Sequence, residues 1–241
     1  MISEVVAVWK GLKGLLAMLI LLLMFPVARP VQAAYEELFI QVKAASWAIY
    51  VRAESGLQAI CSASAFRSGA TETMLITAGH CFTDVPTKTD FLVTQDHFTF
   101  IPATLKSTGM KLKPGANRPY NMNDFEGDDW AIVIARIGNK PIVPIGTSKS
   151  LRIGEDLLVV GLPFGMDFFA VQGIVGSTDM NVAQLIWNHY YGANMYIAGG
   201  NSGSGVVSTK QKAIIGILVA APGAQSSLAI FTPIDIVPWK I

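Results

Sequence analysis

The sequence predicts an all-β protein built as two antiparallel barrels of about six short strands each, opened by a short helix. Three observations carry this. In 241 residues there are 22 Gly and 12 Pro, which interrupt the chain too often for long helices. Short runs rich in β-branched and aromatic residues fall into two groups on either side of a connector, Gly138 to Ser150, that carries Pro141 and Pro144. No internal repeat or low-complexity tract competes with that division.

The amino-terminal segment, residues 1 to 33, reads as a leader. Lys10 and Lys13 precede eleven apolar residues from Leu15 to Phe25, and Pro26 breaks whatever helix they form. About 20 residues are needed to cross a bilayer. Val31-Gln32-Ala33 places small side chains at the positions a signal peptidase reads, so cleavage after Ala33 is expected. The alternative is an uncleaved anchor from near Leu12 to Ala28, which would attach the protein to a membrane. Both readings export the rest of the chain as a secreted, periplasmic or membrane-tethered domain.

From residue 34 to 45, Leu38, Val42 and Ala45 fall at helical spacing behind Glu36 and Glu37, charges that suit a helix N-terminus. The first barrel is expected over residues 46 to 137. Its strands are Trp47 to Val51, Gln58 to Phe66, Met74 to Ala78, His97 to Leu105 and Trp130 to Ala135. Lys111 to Asp128, with Pro114-Gly115, Asn117 and Pro119, has no usable period and reads as a long surface loop. The second barrel, residues 151 to 241, is read as Asp156 to Gly161, Phe168 to Ser177, Ala183 to Asn188, Gly205 to Ser208, Ala213 to Ala220 and Ser227 to Thr232.

Composition narrows function. The hydrophobic fraction of 51% and charged fraction of 15% exclude a disordered or coiled-coil chain, and a net charge of +1 offers no electrostatic footprint for nucleic acid. Two cysteines, Cys61 and Cys81, cannot supply a four-ligand zinc site unaided. They form either one disulfide or two buried thiols, and an oxidising compartment favours the disulfide. No cofactor or metal is expected.

Three polar residues stand where a strand meets a loop. His80 sits in Thr77-Ala78-Gly79-His80-Cys81, Asp129 opens Trp130-Ala131-Ile132-Val133, and Ser202 lies in Gly200-Asn201-Ser202-Gly203-Ser204-Gly205. A serine hydroxyl is a weak nucleophile near neutral pH. A histidine beside it can take its proton, and a carboxylate can hold that imidazole in the right tautomer. Each motif has a bland reading as a structural histidine, a loop charge or a glycine-rich turn. The combination carries the assignment.

In that chain order the sequence resembles the trypsin/chymotrypsin superfamily. "TAGHC", "DWAIV" and "GNSGSG" match its histidine, aspartate and serine motifs over roughly residues 46 to 236. It is most similar to the short HtrA-type branch, through "LRIGEDLLVVGLPFG", "VQGIVGS" and "GILVA" followed by "LAIFTPID". No PDZ domain is expected after Trp239. The resemblance implies chymotrypsin-type barrels with the active site between them. It also implies catalysis by His80, Asp129 and Ser202, an oxyanion hole from the N–H groups of Gly200 and Ser202, and a Cys61–Cys81 disulfide. Asp-x-Ala spacing selects Asp129 over Asp128, which reads as a solvated loop charge. His97 reads as a satisfied strand residue and His189 as a surface residue.

Carrying over the family's pocket position gives Tyr196, with Ile197 beside it and Ile217, Leu218 and Val219 as the wall. No carboxylate there awaits Arg or Lys, so cleavage after small or medium apolar residues is expected. Asn201 precedes Ser202 where digestive relatives carry an aspartate, so no buried N-terminus is needed to order the oxyanion loop. The expected function is an exported serine endopeptidase acting on protein or peptide substrates. The alternatives are a membrane-tethered viral polyprotein-processing protease and a catalytically silent trypsin-like binding domain. Oligomeric state stays open.

Overall fold

A computed structural model of the chain describes residues 28–83, 91–113, 125–180, 190–221, 223 and 225–239. The chain divides into two units, Met1–Leu38 and Phe39–Ile241. The described part of the first is helical, the opening turns of α1 (Ala28–Ala44). Most of the leader lies outside the described residues. The helix begins six residues before the expected Ala34, so Glu36 and Glu37 fall in its interior and not in its first turn. Pro30 stands in that first turn, where its missing N–H costs nothing.

In the second unit α1 ends on its own chemistry. Lys43 lies in the last turn, favourable for the helix dipole, and the Ser46 hydroxyl donates to the Val42 carbonyl at 2.8 Å. Twelve strands follow among the described residues, closing two antiparallel barrels. The first runs β1 (Ser46–Ala53), β2 (Gly56–Ser68), β3 (Thr73–Thr77), β4 (Phe91–Thr94), β5 (Ile101–Leu112) and β6 (Phe125–Ala135), paired in the order β1-β2-β3-β6-β5-β4. The second runs β7 (Asp156–Gly161), β8 (Phe169–Met180), β9 (Tyr190–Ala198), β10 (Gly205–Ser208), β11 (Ala213–Ala220) and β12 (Gln225–Pro233), paired β10-β11-β12-β9-β8-β7. Closure leaves no free edge to template aggregation.

Apolar residues fill both barrels. Trp47, Ile49, Leu75, Ile76 and Ile132 are fully buried in the first. Leu157, Val159, Val175, Ile215 and Phe231 pack together in the second. Each such side chain contributes about 1.5–3 kcal/mol when taken from water. The Gly138 to Ser150 connector lies along β11: Ile214 donates to the Pro144 carbonyl and Gly146 donates to the Ile214 carbonyl, at 2.8 and 2.9 Å.

Two readings of the sequence change, and a third lies outside the described residues. The strand expected over His97 to Leu105 starts at Ile101 and continues to Leu112, because Asp96 captures the N–H groups of Phe98 and Thr99 and turns the chain first. His97 is therefore a turn residue at φ 63°, its Nδ1 3.0 Å from the Tyr50 hydroxyl and its ring stacked on Phe168. The expected Lys111 to Asp128 loop is shortened at both ends by β5 and β6, and its centre lies outside the described residues. Ala183 to Asn188 and His189 also lie outside them, and the described chain resumes in β9, which starts at Tyr190.

Candidate active site

β3 ends at Thr77, and an extended Ala78 leads into a single 3₁₀ turn, Gly79–Phe82, that carries His80. β6 pairs with β3 in the register Thr77↔Ala131, which brings Asp129 level with that turn. The turn is packed closely. A Cβ on Gly79 would meet the Met110 side chain and the Trp130 carbonyl at 2.9 Å, so only glycine lets β6 approach.

Asp129 is 1% exposed and spends both carboxylate oxygens on one residue. Oδ1 accepts the His80 backbone N–H at 2.9 Å, and Oδ2 lies 2.7 Å from His80 Nδ1. A carboxylate only accepts, so Nδ1 carries the proton and Nε2 keeps its lone pair. Burial pushes the His80 pKa down, but the Asp129 charge and hydrogen bond outweigh it and hold the imidazole above its ordinary 6.5. Asp129 is fixed in turn from the second barrel, where the Thr232 hydroxyl donates to its backbone carbonyl at 3.0 Å. Buried Tyr190 stands near it as well. Burial first, then the charges of Asp129 and Asp128, hold that phenol protonated. Asp128 itself faces solvent.

Ser202 follows β9 on a loop that returns through β10. His80 and Ser202 line one cleft of about 320 Å³ together with Ile197, Ala198, Gly199, Asn201, Leu218, Val219, Ala220, Ala221 and Gly223. Gly200 and Gly203 adopt φ of +96° and +86°, and a Cβ on Gly203 would strike the Thr77 hydroxyl and the Ser62 carbonyl. The loop therefore docks directly onto the first barrel, with the Ser62 N–H donating to the Ser202 carbonyl at 2.8 Å.

Of the expected pocket residues, Ile197, Leu218 and Val219 line this cleft. Tyr196 and Ile217 do not. Alternation along β9 turns Tyr196 to the other face, where it is 57% exposed and borders a neighbouring cavity with Pro163, Phe169 and Val171. Ile217 is fully buried. No carboxylate lines the cleft among the described residues.

Cys61 and Cys81 form a disulfide, Cα to Cα 6.2 Å, that ties β2 to the His80 turn. Ligand atoms of Cys61, His80 and Cys81 lie within 4.8 Å of one another, but the two sulfurs are bonded to each other and not offered to a metal.

Paired six-stranded antiparallel barrels, with a histidine–aspartate pair on one and a glycine-flanked serine on the other facing a shared cleft, define the chymotrypsin-type class of proteins. A family model of the trypsin-like peptidase domain matches residues 62–217, and the chain belongs to that family. A probable periplasmic serine endoprotease, DegP-like, from Pseudomonas putida strain GB-1 is 30% identical over 111 residues, 45% of this chain and 23% of that protein. The Halomonas elongata counterpart is 26% identical over 111 residues, again 45% and 23%. This chain thus spans about a quarter of the length of those curated relatives. In fold it is similar to the HtrA-type protease AlgW solved with a decapeptide, at a TM-score of 0.65 and 18% identity, covering 84% of this chain and 64% of that one. AlgW solved with a tripeptide gives 0.65 and 20%, covering 84% and 60%.

Proposed function

We propose that the protein is an exported serine endopeptidase in which Ser202 is the nucleophile, His80 the general base and acid, and Asp129 the orienting carboxylate. The observation that carries this is the pair of hydrogen bonds that His80 donates to Asp129, with Ser202 on the wall of the same cleft. With Nδ1–H held by Asp129, Nε2 accepts the Ser202 proton as Oγ attacks the scissile carbonyl. The oxygen that becomes negative is received by the N–H groups of Gly200 and Ser202. The imidazolium then protonates the leaving amine, and water, deprotonated by the same Nε2, releases the acyl group. Export is supported by the periplasmic relatives, the disulfide and the leader.

The cleft is walled by Ile197, Ala198, Leu218, Val219 and Ala220, which supports a small or medium apolar residue before the cut bond. The deciding experiment is fluorophosphonate labelling with peptide turnover. Wild-type protein should label and cleave, and Ser202→Ala should do neither while melting at an unchanged temperature. A fully active Ser202→Ala protein would remove the assignment.

A further inference from the structure

The nucleophile loop has carbonyls at Gly199, Gly200 and Ser202, and each is taken by a donor from outside the loop. Phe164 N–H donates to Gly199 at 2.6 Å, the Ser62 hydroxyl to Gly200 at 2.8 Å, and the Ser62 N–H to Ser202 at 2.8 Å. Two of the three come from one residue. Ser62 lies in mid-strand on β2, fully buried, and its hydroxyl also accepts the Leu162 N–H at 2.9 Å. Leu162 opens the short turn that delivers Phe164 N–H, with Phe164 held at φ 54°. A Cβ on Gly200 would strike the Leu162 carbonyl, so the turn and the loop are in direct contact. Ser62 is itself held from behind, its carbonyl accepting the Thr77 hydroxyl at 2.7 Å.

The consequence for the oxyanion donors is geometric. In a trans peptide the C=O and the following N–H point in opposite directions, and the described chain has no cis peptide bond. Holding the Gly199 carbonyl against Phe164 therefore aims the Gly200 N–H the other way. Holding the Gly200 carbonyl on Ser62 fixes the next peptide and so the turn that presents Ser202. We infer that Ser62 is the positioning residue of the oxyanion hole: a serine of the first barrel whose hydroxyl locks the nucleophile loop and the Leu162–Gly165 turn of the second barrel together. This rests on the serine-peptidase reading above and deepens it. The loop is ordered by residues of this chain, and among the described residues no charged side chain is hydrogen-bonded to Asn201.

The test is Ser62→Ala, which deletes the hydroxyl and leaves the backbone bond to Ser202. A misplaced donor weakens transition-state binding and spares substrate binding, so kcat should fall about 10- to 100-fold with KM within twofold. Affinity for a peptide boronate, which puts an oxygen in the hole, should fall in parallel with kcat/KM. The midpoint of the pH profile should stay in place because the His80–Asp129 bonds are untouched, and Ser62→Thr should recover part of kcat. Should Ser62→Ala not fold, Ser62→Gly is read in the same way. A lowered melting temperature with kcat and boronate affinity unchanged would overturn the inference, as would a shifted pH midpoint. Wild-type protein that neither labels nor cleaves would overturn the peptidase reading itself, and this inference with it.

Discussion

Reducing the Cys61–Cys81 bond perturbs the fold without removing a side chain. The bridge closes a loop of 20 residues, and in the chain-entropy account such a closure stabilises the folded state by about 3 kcal/mol. For a folded unit of this size each kcal/mol moves the melting temperature by roughly 2–4 °C, so the reduced protein should melt about 6–12 °C lower. The assay is thermal unfolding followed by circular dichroism, with and without a phosphine reductant that does not absorb in the far ultraviolet. A Cys61→Ala, Cys81→Ala double variant should melt near the reduced protein and ignore the reductant. Activity should persist in the reduced protein below its melting range, because Asp129 and not the disulfide makes the hydrogen bonds to His80. A change under about 2 °C, or loss of activity with no loss of stability, would refute this reasoning.

Three further outcomes are expected. Turnover should rise with pH through a midpoint above 6.5, since only neutral His80 acts as base, and Asp129→Asn should move that midpoint down and cut kcat by about 10⁴-fold. The raised His80 pKa also adds stability that is fully present below the unfolded value of 6.5 and is lost as pH climbs past the folded one, so Asp129→Asn should cost more in urea unfolding at acidic than at alkaline pH. A substrate library should show small or medium apolar residues before the cut bond, and a profile dominated by Arg, Lys or Glu would contradict the apolar cleft wall.

How much of this was legible in the sequence depends on the range of the interaction. β7, β10 and β11 have the bounds that their apolar runs announce, because strand burial is written locally in alternating or continuous hydrophobic residues. β4 escaped because four residues, Phe91–Thr94, carry too little pattern. β9 escaped because Gly192 and Asn194 dilute its β propensity. The proposed triad could be read from motifs, since each member sits in a short, chemically distinctive stretch. Tyr196 was assigned to the cleft by counting positions, and the alternation of β9 sends its side chain elsewhere. Ser62, Phe164 and Thr232 left no local trace. Their hydrogen bonds to the Ser202 loop and to Asp129 join residues 35 to 140 positions apart, a pairing that only the closed barrels create.

The division of labour between the barrels also sets a schedule. His80, Asp129 and Ser62 belong to the first barrel, while Ser202 and the turn that aims Gly200 belong to the second. A chain emerging from the ribosome has its proposed base and carboxylate well before it has its proposed nucleophile. The Ser202 loop in turn acquires the last of these hydrogen-bond partners when β11 supplies Leu218, whose carbonyl accepts the Gly203 N–H at 2.7 Å. On the serine-peptidase reading, an unfinished chain therefore holds the histidine and aspartate without the serine. On that reading the capacity to cut requires both barrels at once.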